Sequence, residues 1–320
     1  MAFFDLPLDE LRTYRPPLTR QPDFDAFWEE TLAQSATLPL EPVFEPMDLP
    51  ARGLTIQGVR FAGWDNAPIA GRYLRPDGEG PFPGVLIVHG YSWFSRPLLW
   101  QQLAWAYLGH AVLAIDVRGQ GGDSADTTTY PGGHAPGFMT QGILDPEVYY
   151  YRGVYMDAVR AVELLAAQPA VDAGRIAVTG ISQGGGCSLA AAALSRRVAA
   201  CMAEVPYLCH FERATTLTDR PPYTEIGRYI MMHPDREAAV FRTLSYFDNM
   251  NLASRITCPT LVTVGMMDMV CPPSTIFAAY NHISAPKEII VSTFGEHECF
   301  PHVPEAFVRW ADAQLGGGAQ

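Results

Sequence analysis

Ser182 stands in Gly180-Ile181-Ser182-Gln183-Gly184, between an apolar run that reads as a strand and an alanine-rich stretch that reads as a helix. That spacing suits a nucleophilic hydroxyl on a sharp strand-to-helix turn. Small residues two before and two after the serine let strand and helix approach, and the new helix aims its free N–H groups at the reacting centre. The five-residue pattern arises often by chance, and an ordinary glycine-rich turn is the alternative reading. Its placement gives it weight.

A serine hydroxyl is a weak nucleophile without a base. In nucleophile turns of this kind the acid and then the histidine follow the serine along the chain. Three histidines compete: His282, His297 and His302. His297 lies in Phe294-Gly295-Glu296-His297-Glu298, between the last expected strand and the last expected helix, where a base can be delivered. His282 falls at a helix end and His302 at a helix start, positions that suit capping. Asp268 follows Val262-Thr263-Val264 at a strand's carboxyl end, ready to orient the imidazole. Its rivals are Asp116, which precedes the nucleophile and is expected to hold the Arg118-Gly119-Gln120 turn, and Asp248. A tetrahedral intermediate also needs donors; the backbone N–H groups of Gln183 and of Tyr91, in His89-Gly90-Tyr91, are the candidates. His89 reads as a turn-shaping residue.

Other chemistries fail on spacing. His297-Glu298 would need a second histidine at 301 to form a zinc helix, and that position is Pro301. No dinucleotide or phosphate loop follows a strand. Cys187, beside the turn, has no basic neighbour to lower its pKa. No metal and no cofactor is expected.

The elements that must position these residues are legible as runs. Val85–Val88, Ala111–Ile115, Ile176–Val178 and Leu261–Val264 read as strands buried on both faces of a parallel sheet. Residues 54–62 and 68–74 alternate like antiparallel strands, and Cys201–Val205 and Glu288–Val291 supply two more. Helices are expected over 146–168, opened by Pro146 with one apolar stripe; from Gly184 onward; and over 304–315. Alternating strands and helices predict an α/β chain with a mostly parallel sheet and helices on both faces. Residues 207–255 interrupt that rhythm with a helical, aromatic insertion, a lid or interface element within one domain spanning 1–320. Pro222-Tyr223, Tyr91 and Trp93 are expected to wall an acyl pocket.

Among the 320 residues, 22 Lys plus Arg stand against 34 Asp plus Glu, a formal net charge of −12. Such a surface repels phosphate backbones and anionic lipid, so neither nucleic acid nor membrane is an expected partner. No window approaches the ~18 apolar residues of a membrane helix, and the N-terminus lacks the basic start of a signal peptide. The six cysteines form no CxxC pair and read as buried free thiols in a reducing compartment, so a cytoplasmic location is expected.

The chain resembles the acetyl xylan esterase and cephalosporin C deacetylase group, carbohydrate esterase family seven, within the α/β-hydrolase fold. The likeness rests on FDLPLDELRTYRPP near the start, HGY at 89–91, DVRGQG at 116–121 and the stretch at 142–161. It continues in GISQGG at 180–185, TLSYFDNMNLA at 243–253, PPSTIFAAYNHI at 272–283 and the His-Glu pair at 297–298. The resemblance implies a serine deacetylase acting on small acetylated sugars and cephalosporin C. It implies a triad of Ser182, Asp268 and His297, oxyanion donors at Tyr91 and Gln183, and a homohexamer whose sites face an inner cavity. One local departure is FGEHE, where many members place Gly or Asn before His-Glu. Peptidases or acyltransferases of the same fold are the rival reading; such peptidases often carry a large extra domain, for which there is no room.

Overall fold

The apolar runs form one sheet. A computed structural model describes residues 4–316. Helices α1 (Leu8–Leu11) and α2 (Phe24–Ala36) precede strands β1 (Val43–Pro46), β2 (Leu54–Ala62), β3 (Pro68–Pro76) and β4 (Phe82–Val88). Then come α3 (Leu99–Tyr107), β5 (Ala111–Ile115), α4 (Tyr150–Ala166), β6 (Val171–Ile181), α5 (Gln183–Leu194) and β7 (Val198–Glu204). Four helices, α6 (Phe211–Leu217), α7 (Tyr223–Met232), α8 (Glu237–Phe247) and α9 (Asn249–Leu252), separate β7 from β8 (Thr260–Gly265). The chain closes with α10 (Pro273–His282), β9 (Lys287–Ser292) and α11 (Val303–Leu315).

The strand order is β1-β2-β3-β5-β4-β6-β7-β8-β9. The first strands pair antiparallel, β3 reaching β5 in the same sense, and every pairing from β5 to β9 is parallel. The inner parallel strands are buried on both faces, as their unbroken apolar runs require, while the edge strand β9 is only half-buried; β4 is buried from Pro83 to Val88. From β4 the chain steps one way to β5, and from β6 it steps the other way. This reversal opens a crevice at the strands' carboxyl ends, where α/β sheets place ligands.

Helix α4 departs from expectation. It begins at Tyr150, with a turn over the residues after Pro146, and it is buried on nearly every face rather than along one stripe. The reason is a layer the periodicity did not show. Trp28 of α2 stacks on Tyr155, and Thr31 of α2 takes Arg152 through its Oγ1. Three of the four charged residues of α4, Arg152, Asp157 and Arg160, are inside and hydrogen-bonded. Arg160 donates to the carbonyls of Ala62, Ser35 and Pro39, and Asp157 faces Arg118. Helices α1 to α3 and strand β1 gave no sequence signal that separated them from loop.

The N-terminal segment lies along the insertion. Thr19 N–H donates to Asn251 Oδ1 at 3.1 Å, and Asn251 Nδ2 donates back to Thr19 Oγ1 at 2.8 Å. Gln21 reaches Ser245, Tyr246 donates to Asp23, and Trp28 Nε1 donates to the Tyr246 carbonyl. Asp5 accepts from Arg213 of α6 and from the Ser274 N–H of α10.

Candidate active site

Ser182 occupies the turn between β6 and α5 with φ 57° and ψ −116°, a strained conformation for a residue with a Cβ. The turn is held from both sides. The Ser182 N–H donates to the Glu204 carbonyl, and the Ser182 carbonyl accepts the N–H groups of Gly186 and Tyr207, each at 2.9 Å. Glycine is required on either side of the serine. A Cβ at Gly180 would meet the Val88 carbonyl oxygen at 2.4 Å, and one at Gly184 would meet it at 2.0 Å. The close approach of β4, β6 and α5 that exposes the hydroxyl is thus a matter of missing side chains.

His297 comes from the loop after β9. Its Nε2 lies 2.9 Å from Ser182 Oγ, and its Nδ1 lies 2.8 Å from Asp268 Oδ2. Asp268 follows β8, is fully buried, and accepts the N–H groups of Val270 and Cys271 on Oδ1, each at 2.8 Å. A carboxylate fixed in this way accepts from Nδ1–H, which leaves Nε2 free to take the serine proton. The three residues named from the sequence are therefore brought into one hydrogen-bonded line.

The rival acids serve elsewhere. Asp116 accepts the N–H groups of Ser95 and Asp123, so it ties the loop after β4 to the following turn and does not hold Arg118. Arg118 is held by Asp157, with Nε at 2.6 Å and Nη2 at 2.7 Å. Asp248 accepts three backbone N–H groups, those of His210, Phe211 and Met250. His89 accepts the Val117 N–H on Nε2 and sits on the Gly90 carbonyl through Nδ1, which shapes the turn. His282 takes Arg15 and the Pro16 carbonyl, and His302 precedes α11.

Tyr91 and Gln183 flank the serine from β4 and α5. Among the described residues no protein acceptor takes either backbone N–H, so both are free to meet an oxyanion. The Gln183 side chain belongs to a network that the sequence did not indicate. Gln120 and Gln183 pair reciprocally through their amides at 2.8 and 3.1 Å. Gln120 Oε1 also accepts the Ser92 N–H at 2.9 Å, while its Nε2 reaches the Tyr150 hydroxyl. Tyr151 donates to Gln183 Oε1 at 3.0 Å. One side chain thus bridges the two segments that carry the candidate donors, and no local spacing signals a bridge of this kind.

Two expectations are corrected. Cys299, two residues past His297, is exposed; the other five cysteines are buried. Its loop must reach from β9 to the serine, so it cannot withdraw into the core. Tyr223 is wholly buried, packed at 4.3 Å on Tyr207 with its hydroxyl on the Cys209 backbone, so it supports the site from behind and walls no pocket. Cys187 is buried with its thiol pushed well up by desolvation, an inert core group. Asp268, Cys271 and His297 hold potential metal-ligand atoms within 4.8 Å of one another. The Asp–His contact already occupies two of these donors, and burial keeps the Cys271 thiol protonated. Among the described residues no helix is long and apolar enough to cross a membrane.

A family model described as acetyl xylan esterase matches residues 1–314. The acetyl esterase Axe7A of Xylanibacter ruminicola is 31% identical over 308 residues, covering 93% of this chain and 69% of that protein. An acetyl xylan esterase from a Paenibacillus species superposes with a TM-score of 0.92 at 44% identity, covering 97% of this chain and all of the other. Acetyl xylan esterase 1 from a Thermoanaerobacterium species gives 0.94 at 34% identity, covering 98% of this chain and all of the other. With this match over nearly its whole length, the chain belongs to the acetyl xylan esterase family and is a serine esterase of the α/β-hydrolase fold.

Proposed function

We propose that this enzyme removes O-acetyl groups from small acetylated sugars such as xylo-oligosaccharides, and from cephalosporin C, through an acyl-enzyme on Ser182. The observation that carries the reading is the line Ser182–His297–Asp268, at 2.9 and 2.8 Å. His297 takes the hydroxyl proton as Ser182 attacks the acetyl carbonyl. The N–H groups of Tyr91 and Gln183 receive the oxyanion, His297 protonates the leaving alcohol, and water then releases acetate. Asp268 orients the imidazole and stabilises its cation.

A closed homohexamer is supported by the family resemblance and by apolar side chains left exposed, Trp100 at 80% and Met231 at 75%. A cytoplasmic location is supported by six cysteines that form no disulfide. The insertion, α6 to α9, then acts as an interface element within one domain.

The test is kcat/KM across p-nitrophenyl acetate, butyrate and octanoate, together with acetylated xylo-oligosaccharides, intact acetyl xylan and cephalosporin C. Acetate should lead, octanoate should be negligible, and oligosaccharides should exceed the polymer. Equal efficiency toward octanoate would overturn the deacetylase reading. Ser182→Ala should lower kcat by roughly 10³-fold or more. Mass spectrometry after fluorophosphonate treatment should find the label on Ser182 alone. EDTA should leave the rate unchanged, and a loss that zinc restores would revive a metal mechanism.

A further inference from the structure

Glu225 lies in the first turn of α7, inside the insertion, and its carboxylate is buried. The Tyr91 hydroxyl donates to it, 2.8 Å from Oε1 and 2.9 Å from Oε2. The Met139 N–H donates to Oε2 at 3.0 Å, and the Phe138 N–H donates to the Tyr91 hydroxyl oxygen at 2.6 Å. The carboxylate rests over Gly137, where a Cβ would come within 2.2 Å of its three atoms. Three segments far apart in sequence therefore meet on one carboxylate: the loop after β4, the long connection from β5 to α4, and the insertion.

We infer that Glu225 is a positioning residue for ester hydrolysis, fixing through the Tyr91 hydroxyl the loop whose Tyr91 N–H receives the oxyanion. The inference rests on the proposed role of that N–H. The Tyr91 ring packs edge-on between Phe138, at 5.5 Å, and Tyr207, at 6.3 Å. Tyr207 in turn donates its N–H to the Ser182 carbonyl. Packing alone leaves the rigid ring able to slide in its slot; the far end stops that motion, because the hydroxyl is pinned as donor and acceptor at once. Burial pushes the Glu225 carboxyl up, with desolvation outweighing its hydrogen bonds. An apolar side chain would fill the same space without burying an acid. What the carboxylate adds is direction, and the groups it directs lead to the reacting centre.

The test is a cycle of Glu225→Gln, Tyr91→Phe and the double variant, assayed on p-nitrophenyl acetate with the full chain. Tyr91→Phe removes the hydroxyl and keeps the backbone N–H, so it reports the same contact if Glu225→Gln fails to fold. Displacing an oxyanion donor should lower kcat by about 10- to 100-fold, less than its outright removal. KM should change by less than about 2-fold, and the double variant should be no worse than the weaker single one. Slower fluorophosphonate labelling of Ser182 should accompany the loss in kcat. Multiplying effects, a loss confined to KM, or kcat within 2-fold of the parent would overturn the inference. Parent enzyme that is not labelled at Ser182 would overturn the hydrolase reading itself, so the two failures are distinguishable.

Discussion

Gln120 meets Ser92, Tyr150 and Gln183 through one primary amide, and so spans both halves of the candidate oxyanion site. Gln120→Ala should leave the Ser182–His297–Asp268 line standing while loosening the Ser92 backbone and the Gln183 side chain. The expected outcome is a kcat lowered by roughly 10- to 100-fold at nearly unchanged KM, measured on p-nitrophenyl acetate. Asp268→Asn should damage kcat far more than Asp248→Asn does, since only Asp268 touches the imidazole. Ser182, Asp268 and His297 could be named from sequence because each sits at the end of a recognisable strand and their order along the chain is constrained. Gln120 and Glu225 could not be placed that way. Their partners lie 63 and 134 residues away, and only tertiary packing brings them into reach.

The entry to α6 carries two opposed proton equilibria. Burial holds the His210 imidazole down to about 4 and pushes the Asp248 carboxyl up to about 6. His210 is neutral in the fold while the unfolded chain takes up a proton below ~6.5, so its contribution is lost as pH falls toward 4. Asp248 keeps its proton in the fold where the unfolded chain has released it, so its contribution is present at low pH and lost as pH rises through 6. Between pH ~4 and ~6 the two slopes offset each other, each reaching about 3 kcal/mol at most. Thermal unfolding across that window tests this. Relative to the parent, His210→Asn should gain stability toward acid, and Asp248→Asn should lose it. Parallel curves for all three proteins would contradict the pairing. The sequence showed that a helical insertion stands here, yet it could not show which of its polar groups turn inward. Helix α4 does the same: its single apolar stripe gave no sign that Arg152, Asp157 and Arg160 also turn inward, to Thr31, Arg118 and the Ala62 carbonyl.

At the scale of the whole molecule, the parallel half of the sheet was legible because strands buried on both faces leave unbroken apolar runs. Strand β1 was not, since its four residues are mostly exposed and show neither a run nor a strict alternation. The proposed assembly has a direct check in light scattering at micromolar concentration. A mass near six times the 35.1 kDa of one chain is expected, and a value near one chain would refute it.

The N-terminal segment has a consequence for how the protein is made. Its contacts with the insertion and α10 join residues 208 to 270 positions apart, a span that includes Asp5 with Ser274 and Asn281 with Leu11. On a ribosome residues 5–23 emerge long before the insertion and α10 exist, and contacts of such separation are slow to close. The segment must wait, uncommitted, until most of the chain has been translated, so its docking belongs among the last events of folding. Nascent chains stalled before residue 240 should leave it open to protease, and chains released past residue 290 should protect it. The clasp that closes over the insertion is thus translated well before the elements it closes on.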